Sequence, residues 1–396
     1  MLLRELVMVK EHIAIVSQDP YPDSRVEKEI YTLIKHGFDV TFIGKVREQP
    51  CLVFRRRIDN FRCVNVEFDR FTYSLLEPSL SKTLKRVQRV ISDIKPEVVI
   101  AINPVAGYIV DKLGIPLLID NHEYFYMQVK CNPLLGTKAM RLLKRVTYAL
   151  GTLRRRWIYR VKLIEAKLAS RHPMIFTNHY AKQDFMKRFN LNESDLFVLK
   201  NYPSRLEVGG MEDIKTSNEV KFGYIGFDLP TQSYHRDLSV AAEVLCSLAK
   251  SRNFKVFVAG MDYNYLCFQG VGWLNRYELY NFLSHIDFGL VTWAPHPLHE
   301  FFNPNKPYQY AIAGSVPVVT STLKSVTEDL SKDAIIVQAT DRKMFRDALR
   351  KTFEELLELS IEKREDLRER VMEYAKRKLV WENQEHTLLT SIKKAR

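Results

Sequence analysis

The sequence predicts an α/β protein made of two successive halves, each built on a parallel sheet. Three observations carry that prediction. Short apolar runs alternate with amphipathic helical segments from His12 onward, the pattern of strand–helix–strand units. The alternation lapses over a polar stretch, 204–218, and then restarts. At 396 residues the chain is long enough for two domains of ordinary size, each with its own core.

In the first half, residues 12–17 read as a strand, followed by a loop containing Pro20 and Pro22. A helix over 24–36 carries Val26, Ile30, Leu33 and Ile34 on one face, and Gly37 stops it. Residues 40–43 form the next strand, which completes a βαβ unit and implies parallel pairing. Pro96 leads into a buried strand over 98–102. A helix over 106–113 stops at Gly114, and strands follow at 116–119, 176–177 and 198–199. The second half repeats the pattern. Strand 220–225 ends at Gly226, helix 237–250 follows, and strand 255–259 ends at Gly260. A helix over 276–284 precedes strand 288–292, and strands 316–320 and 334–337 come last. The tail, 360–396, reads as helical and highly charged.

Composition narrows the function. No apolar run reaches the roughly 18 residues of a membrane-spanning helix. The first 16 residues interleave Arg4, Glu5, Lys10 and Glu11 with apolar ones, which does not suit a signal peptide and predicts a cytoplasmic protein. Cys51, Cys63, Cys131, Cys246 and Cys267 are scattered and form no zinc spacing, so free thiols are the expectation. The net charge of +13 is concentrated in 138–171, where Glu165 is the one acid among eleven basic residues. Basic residues mixed with Met140, Leu142, Leu143, Leu150, Leu153, Trp157 and Ile158 suit an anionic membrane surface. A solvated basic helix pair fits the same pattern equally well. No nucleic-acid motif accompanies the charge, and no nucleic-acid partner is expected.

The stretch 300–321, EFFNPNKPYQYAIAGSVPVVTS, is the densest in signal. It reads as a polar loop, a helix over 304–313, a glycine stop at Gly314 and a buried strand. A helix N-terminus reached through Asn303, Asn305 and Lys306 suits an anion such as phosphate. An ordinary polar-capped helix suits the same residues.

Pro304, Asn305, Lys306, Tyr310, Ala311, Ala313, Gly314, Pro317, Val318 and Val319 resemble the donor-site signature of GT-B glycosyltransferases, most like the retaining family-4 group. The resemblance implies a GT-B architecture of two Rossmann-like domains facing a central cleft. Residues 1–203 would form the acceptor-side domain and 204–375 the nucleotide-sugar donor domain. Residues 376–396 would form a helix crossing back to the first, anchored at Trp381. The implied activity is transfer of a sugar from a nucleotide-sugar donor to a glycan or lipid-linked acceptor, retaining and independent of metal. The nucleotide-sugar is then a substrate, and neither cofactor nor metal is implied. Two departures stand out. The glutamate that grips the ribose in the family is Gln309 here. A second family glutamate falls at Phe301, with Glu300 one residue off and a catalytic candidate if the loop shifts.

Ligands in open α/β sheets bind at the carboxyl ends of strands, which singles out further loops. The loop after the first strand has no glycine, which argues against a nicotinamide dehydrogenase. Asp23, Ser24, Arg25 and Val26 resemble the family's D-x-R-V element, which makes Arg25 an acceptor-binding candidate or a plain helix charge. Asp120, Asn121, His122 and Glu123 resemble its D-x-H-E element. His122 would then be catalytic, Glu123 acceptor-binding, and Asp120 would orient the loop. Gly226, Arg236, Asn305 and Lys306 are implied to hold the donor diphosphate, and Gln309 the nucleotide. A catalytically degenerate sugar-nucleotide-binding protein and a nucleotide-sugar epimerase remain open on the same fold. A two-carboxylate glycosidase does not fit, because no two acids are paired.

Overall fold

The computed structural model describes residues 11–69, 77–131, 147–211, 213–214, 216–226, 229, 234–339 and 341–396 and, at 77, 147–154 and 234, the backbone alone. The chain divides into two compact units. Unit one comprises Met1–Thr177, Lys182–Leu199 and Glu385–Arg396. Unit two comprises Asn178–Ala181 and Lys200–Gln384.

Unit one is built on seven strands: β1 (His12–Val16), β2 (Asp39–Gly44), β3 (Phe61–Asn65), β4 (Val98–Ile102), β5 (Leu117–Asn121), β6 (Met174–Phe176) and β7 (Leu196–Val198). Their spatial order is β3-β2-β1-β4-β5-β6-β7, with every neighbouring pair parallel. Ile13 pairs with Val40 on one side and Val98 on the other. β4 and β5 are buried along their whole length, the condition of parallel strands covered on both faces, which is why β4 is an unbroken apolar run and β5 is apolar up to Asp120. The covering helices are α1 (Ser24–Lys35), α2 (Glu77–Ile94), α3 (Asn103–Asp111), α4 (Phe125–Cys131), α5 (Thr147–Ala169) and α6 (His179–Phe189). Asp23 caps α1 by accepting the N–H groups of Arg25 (2.9 Å) and Val26 (3.1 Å).

Unit two carries a six-stranded parallel sheet ordered β10-β9-β8-β11-β12-β13. Its strands are β8 (Val220–Ile225), β9 (Phe254–Ala259), β10 (Phe268–Gly270), β11 (Phe288–Val291), β12 (Val316–Thr320) and β13 (Ile335–Val337). Its helices are α7 (Ser239–Leu248), α8 (Arg276–Ser284), α9 (Lys306–Ile312), α10 (Lys324–Asp329), α11 (Arg342–Leu357) and α12 (Ile361–Lys378). The charged helix α12 is held down by two buried arginines. Arg368 donates to Gly314 O at 2.7 Å, and Arg364 lies 3.1 Å from Asp287. Gly289 has no room for a side chain: a Cβ there would lie 2.2 Å from Tyr310 Cγ. Tyr310 uses that space to reach β8, where its hydroxyl accepts the Ile225 N–H at 2.9 Å. The last helix, α13 (Glu385–Ala395), belongs to unit one and packs on α1, β5 and β7. Lys35 to Glu385 (2.7 Å) and Lys394 to Asp195 (2.9 Å) fasten it.

Two expectations are corrected. The thiols are not all free: Cys51 is bonded to Cys63, and Cys246 to Cys267, with Cys131 in neither pair. Partners 12 and 21 residues apart are brought to Cα separations of 6.0 and 5.3 Å by folding, which spacing alone does not reveal. The helix expected over 304–313 begins at Lys306, so Pro307 is its first-turn proline and Pro304 lies outside it.

Candidate functional site

Both sheets run outward from a first strand in two directions, and ligands bind where that direction reverses. The reversal lies between β1 and β4 in unit one, and between β8 and β11 in unit two. Of the candidate residues, His122 and Glu123 follow β5, Gly226 follows β8, and Asn305 and Lys306 follow β11, whereas Arg25 lies within α1.

In unit one the cluster comprises Asp19 after β1, Asn103 after β4, and His122 and Glu123 after β5. Asn103 has φ of 67°, a left-handed conformation that asparagine tolerates better than most residues. Its amide donates to Asp19 Oδ2 at 3.3 Å and its Oδ1 accepts the Glu123 N–H at 3.3 Å, so one side chain ties the three loops together. Asp120 is fully buried at the end of β5. It accepts from Arg25 Nε and Nη2, both at 2.8 Å, and lies 3.1 Å from His122 Nε2. Burial alone would raise the Asp120 carboxyl, but Arg25 and His122 hold it well below the ordinary range. Burial, and then the charge of Asp120, drive neighbouring Glu29 well above it, so Glu29 is the protonated member of the pair. Asp120 therefore draws the proton of His122 to Nε2 and leaves Nδ1 as the other ring nitrogen, on a side chain 15% exposed.

Arg25, expected to meet an acceptor, is 3% exposed. Besides Asp120 it bonds to Leu199 O at 2.8 Å and lies 3.3 Å from Glu29. Its geometry is that of a residue orienting Asp120 from within the unit. Glu29, Asp120 and His122 bring one ligand atom each within 4.8 Å of one another, but Arg25 already supplies the positive charge there. The set does not fit a metal ion as it stands.

In unit two, Gly226 follows β8, and its N–H is spent on Ala259 O at 2.8 Å. Arg236 ends a short 3-10 turn, Tyr234–Arg236, and is half-buried. Lys306, the first residue of α9, is also half-buried. Its ammonium lies 6.0 Å from the Tyr224 ring centroid and 5.8 Å from that of Trp293, with no carboxylate beside it among the described residues. Burial, with a smaller push from Arg236, lowers Lys306 to about 7. Near Arg236 and Trp293 stand histidines that carry no charge near neutrality. Burial takes His235 to about 3 and His299 to about 4, and also lowers His296. His299 Nε2 donates to His235 O at 2.8 Å, and its Nδ1 meets Thr322 Oγ1 at 2.7 Å. The cluster's charge thus comes from Arg236 and Lys306.

Asn305 precedes α9 without a side-chain cap bond, while its carbonyl accepts the N–H groups of Tyr308 (3.2 Å) and Gln309 (3.0 Å). Glu300 lies in the 3-10 turn Pro297–Phe301 and is paired with Lys324 at 2.6 Å. Gln309 is hydrogen-bonded to the Tyr280 hydroxyl, which donates to the buried carboxylate of Glu207 at 3.1 Å. An amide at 309 therefore avoids a second carboxylate near Glu207.

Asn103, Glu207 and Trp293 escaped the sequence reading. Asn103 carried a signal, an Asn-Pro pair straight after a buried strand, and so did Trp293, at the end of another. Glu207 carried none, because its place depends on Tyr280, which lies 73 residues on. Trp293 is 1% exposed, and its indole N–H has no hydrogen-bond partner among the described residues.

No protein-family profile and no curated protein sequence matches the chain. Solved structures do. Sucrose-phosphate synthase from Thermosynechococcus elongatus matches with a TM-score of 0.69 at 11% identity, over 97% of this chain and 99% of that one. A trehalose-6-phosphate structure from E. coli bound with UDP-2-fluoro glucose gives 0.63 at 10%, over 97% and 99%. WaaG, a glycosyltransferase involved in lipopolysaccharide biosynthesis, gives 0.61 at 12%, over 95% and 98%. At such identities the likeness concerns the fold, and the fold is GT-B: two Rossmann-like units with parallel sheets of seven and six strands.

Proposed function

We propose that the protein is a glycosyltransferase that moves a sugar from a nucleotide-sugar donor to an acceptor. The observation that carries this reading is Lys306, a half-buried cation without a carboxylate partner among the described residues, near Arg236 at the strand reversal of a GT-B donor unit. An ammonium in that setting gains most from an anionic ligand, and a diphosphate supplies one. Arg236, Lys306 and Asn305 bind the diphosphate, Gly226 leaves room for its approach, and Gln309 belongs to the nucleotide end. As the sugar–phosphate bond breaks, Lys306 and Arg236 stabilise the charge growing on the leaving diphosphate. That supply of charge makes the reading metal-independent. In unit one, His122 and Glu123 serve the reacting sugar and acceptor hydroxyls, with Arg25 acting through Asp120. Retention follows the family resemblance: the departing phosphate takes the acceptor's proton, and no protein nucleophile is required.

A thermal-shift titration with UDP, GDP, ADP and their sugars, with and without EDTA, tests this. A ligand that binds only the folded protein raises its melting temperature. UDP compounds come first, because a structural neighbour binds one. An EDTA-insensitive shift supports the donor site, and no shift with any nucleotide removes it.

The acceptor is a glycan or a lipid-linked sugar. Support for a membrane-borne acceptor comes from the outer face of α5, where exposed Arg155, Arg156 and Lys162 flank Tyr159 (62% exposed) and Leu163 (50%). The earlier part of the basic stretch, 138–146, lies outside the described residues. No helix among the described residues is long and apolar enough to cross a membrane. In this reading the contact is peripheral, at the cytoplasmic face. Retention on anionic liposomes at low salt tests it; failure to be retained removes it.

Glu300 turned to Lys324 and Gln309 turned to Tyr280 favour a second reading, a sugar-nucleotide-binding protein without transfer activity. Measured transfer or donor hydrolysis excludes it. Conversion of the donor's sugar with no acceptor present would instead report an epimerase.

A further inference from the structure

Glu165 lies on α5 and is 1% exposed. Its Oε1 accepts the N–H of Tyr126 at 3.0 Å, while Oε2 has no hydrogen-bond partner among the described residues. Tyr126 is the second residue of α4, whose first-turn N–H groups have no partner within the helix. That helix starts two residues after Glu123. Trp157, also on α5, packs edge-on against Phe125 with ring centroids 6.4 Å apart. The charged groups facing Glu165 come from α6: Arg188, whose guanidinium stacks 3.9 Å over the Tyr126 ring, and Asp184, which Arg188 pairs with. A lone acid in a basic segment thus points inward, to the root of the loop that carries His122.

We propose that Glu165 is a positioning residue for that loop: its buried carboxyl holds the first turn of α4 and so fixes where His122 and Glu123 lie. What the position is for rests on the glycosyltransferase reading; the position itself does not. Burial raises the Glu165 carboxyl to about 8, against the pull of the Tyr126 N–H and Arg188, so it is mostly protonated at neutral pH. A protonated carboxyl keeps a carbonyl acceptor for Tyr126, and glutamine offers the same acceptor without titrating.

The test uses the full chain, labelled for NMR, with Glu165→Gln and Glu165→Ala and no donor or acceptor added. The His122 side-chain signal is assigned from a His122→Gln sample. Glu165→Ala should move the His122 and Glu123 signals more than those of unit two, and Glu165→Gln should restore them. In the native protein these signals should also inflect near pH 8, and in Glu165→Gln that inflection should vanish. Should Glu165→Ala fail to fold, the inflection decides alone. Unmoved His122 and Glu123 signals in a folded Glu165→Ala protein, or no inflection in the native one, overturn the proposal. A failed glycosyltransferase assay leaves this result standing, since no substrate enters it.

Discussion

Lys306 Nζ lies 5.8 Å from the ring centroid of Trp293, an aromatic face where an acid would be the usual neighbour of a half-buried lysine. The arrangement leaves the ammonium poorly solvated and only partly charged near pH 7. An anion at this place restores the charge, so its binding should draw a proton from solution. Titration calorimetry of UDP near pH 7.5, in buffers of different ionisation heat, should show proton uptake. Binding should weaken as pH rises above about 7, and Lys306→Met should cost roughly 10-fold to 100-fold in affinity.

The same lysine sets a stability trend without ligand. Its pKa in the folded state is lowered, from 10.5 to about 7, so the unfolded chain binds more protons between those values. Stability should therefore rise with pH across that window, and Lys306→Met should flatten the rise. Denaturant melts at pH 7 and pH 9 measure it.

Glu165 gives a trend of opposite sign. Its folded pKa is raised, from 4.5 to about 8, so the folded protein binds the extra proton. Stability should fall as pH rises through that window, by up to roughly 1.4 kcal/mol per pH unit, and level off above it. Glu165→Gln should remove this slope, which melts at pH 5 and pH 7 would show.

Gln309→Glu matches the family's residue but places a carboxylate beside Tyr280, already engaged by Glu207. We expect it to destabilise the free protein by about 1–3 kcal/mol, through like charge and a lost amide bond. A gain in both stability and nucleotide affinity would show that the family's arrangement is accessible here.

Gly289→Ala should be at least as damaging as Gln309→Glu. The added methyl meets the Tyr310 ring carbons, and Tyr310 cannot retreat without giving up the Ile225 N–H. A loss of roughly 1–3 kcal/mol, or failure to fold, is the expected outcome of overpacking there. Denaturant unfolding measures it.

Much of the fold was legible because parallel strands are buried on both faces and so announce themselves as apolar runs. The strands at 98–102, 220–225 and 316–320 have the bounds the sequence predicts. β3 was not legible: Phe61–Asn65 is an edge strand in which only Phe61 is buried and Arg62 and Asn65 are exposed, and its sequence shows no apolar run. The short α4 and β10 depend on neighbours for their stability rather than on a pattern of their own. Several candidate residues were legible as positions after a strand: His122 and Glu123 after β5, Gly226 after β8. Their orientation was not legible. Arg25 faces inward because Asp120 and Leu199, 95 and 174 residues away, claim its donors. Glu300 faces Lys324 for a reason of the same kind, a partner 24 residues on. Such pairings are settled by tertiary approach, and no local pattern encodes them.

The return of α13 to unit one has a consequence for synthesis. Residues 12–199 leave the ribosome first, yet the surface formed by α1, β5 and β7 lacks its covering helix until residues 385–396 emerge. At about 5–20 residues per second, that is a wait of roughly 10–40 s. During it the earlier-made unit carries an uncovered apolar seam, while unit two can close around its own sheet. Of the two units, the one translated earlier is thus the later to be finished, and a nascent chain stalled before Glu385 exposes that seam.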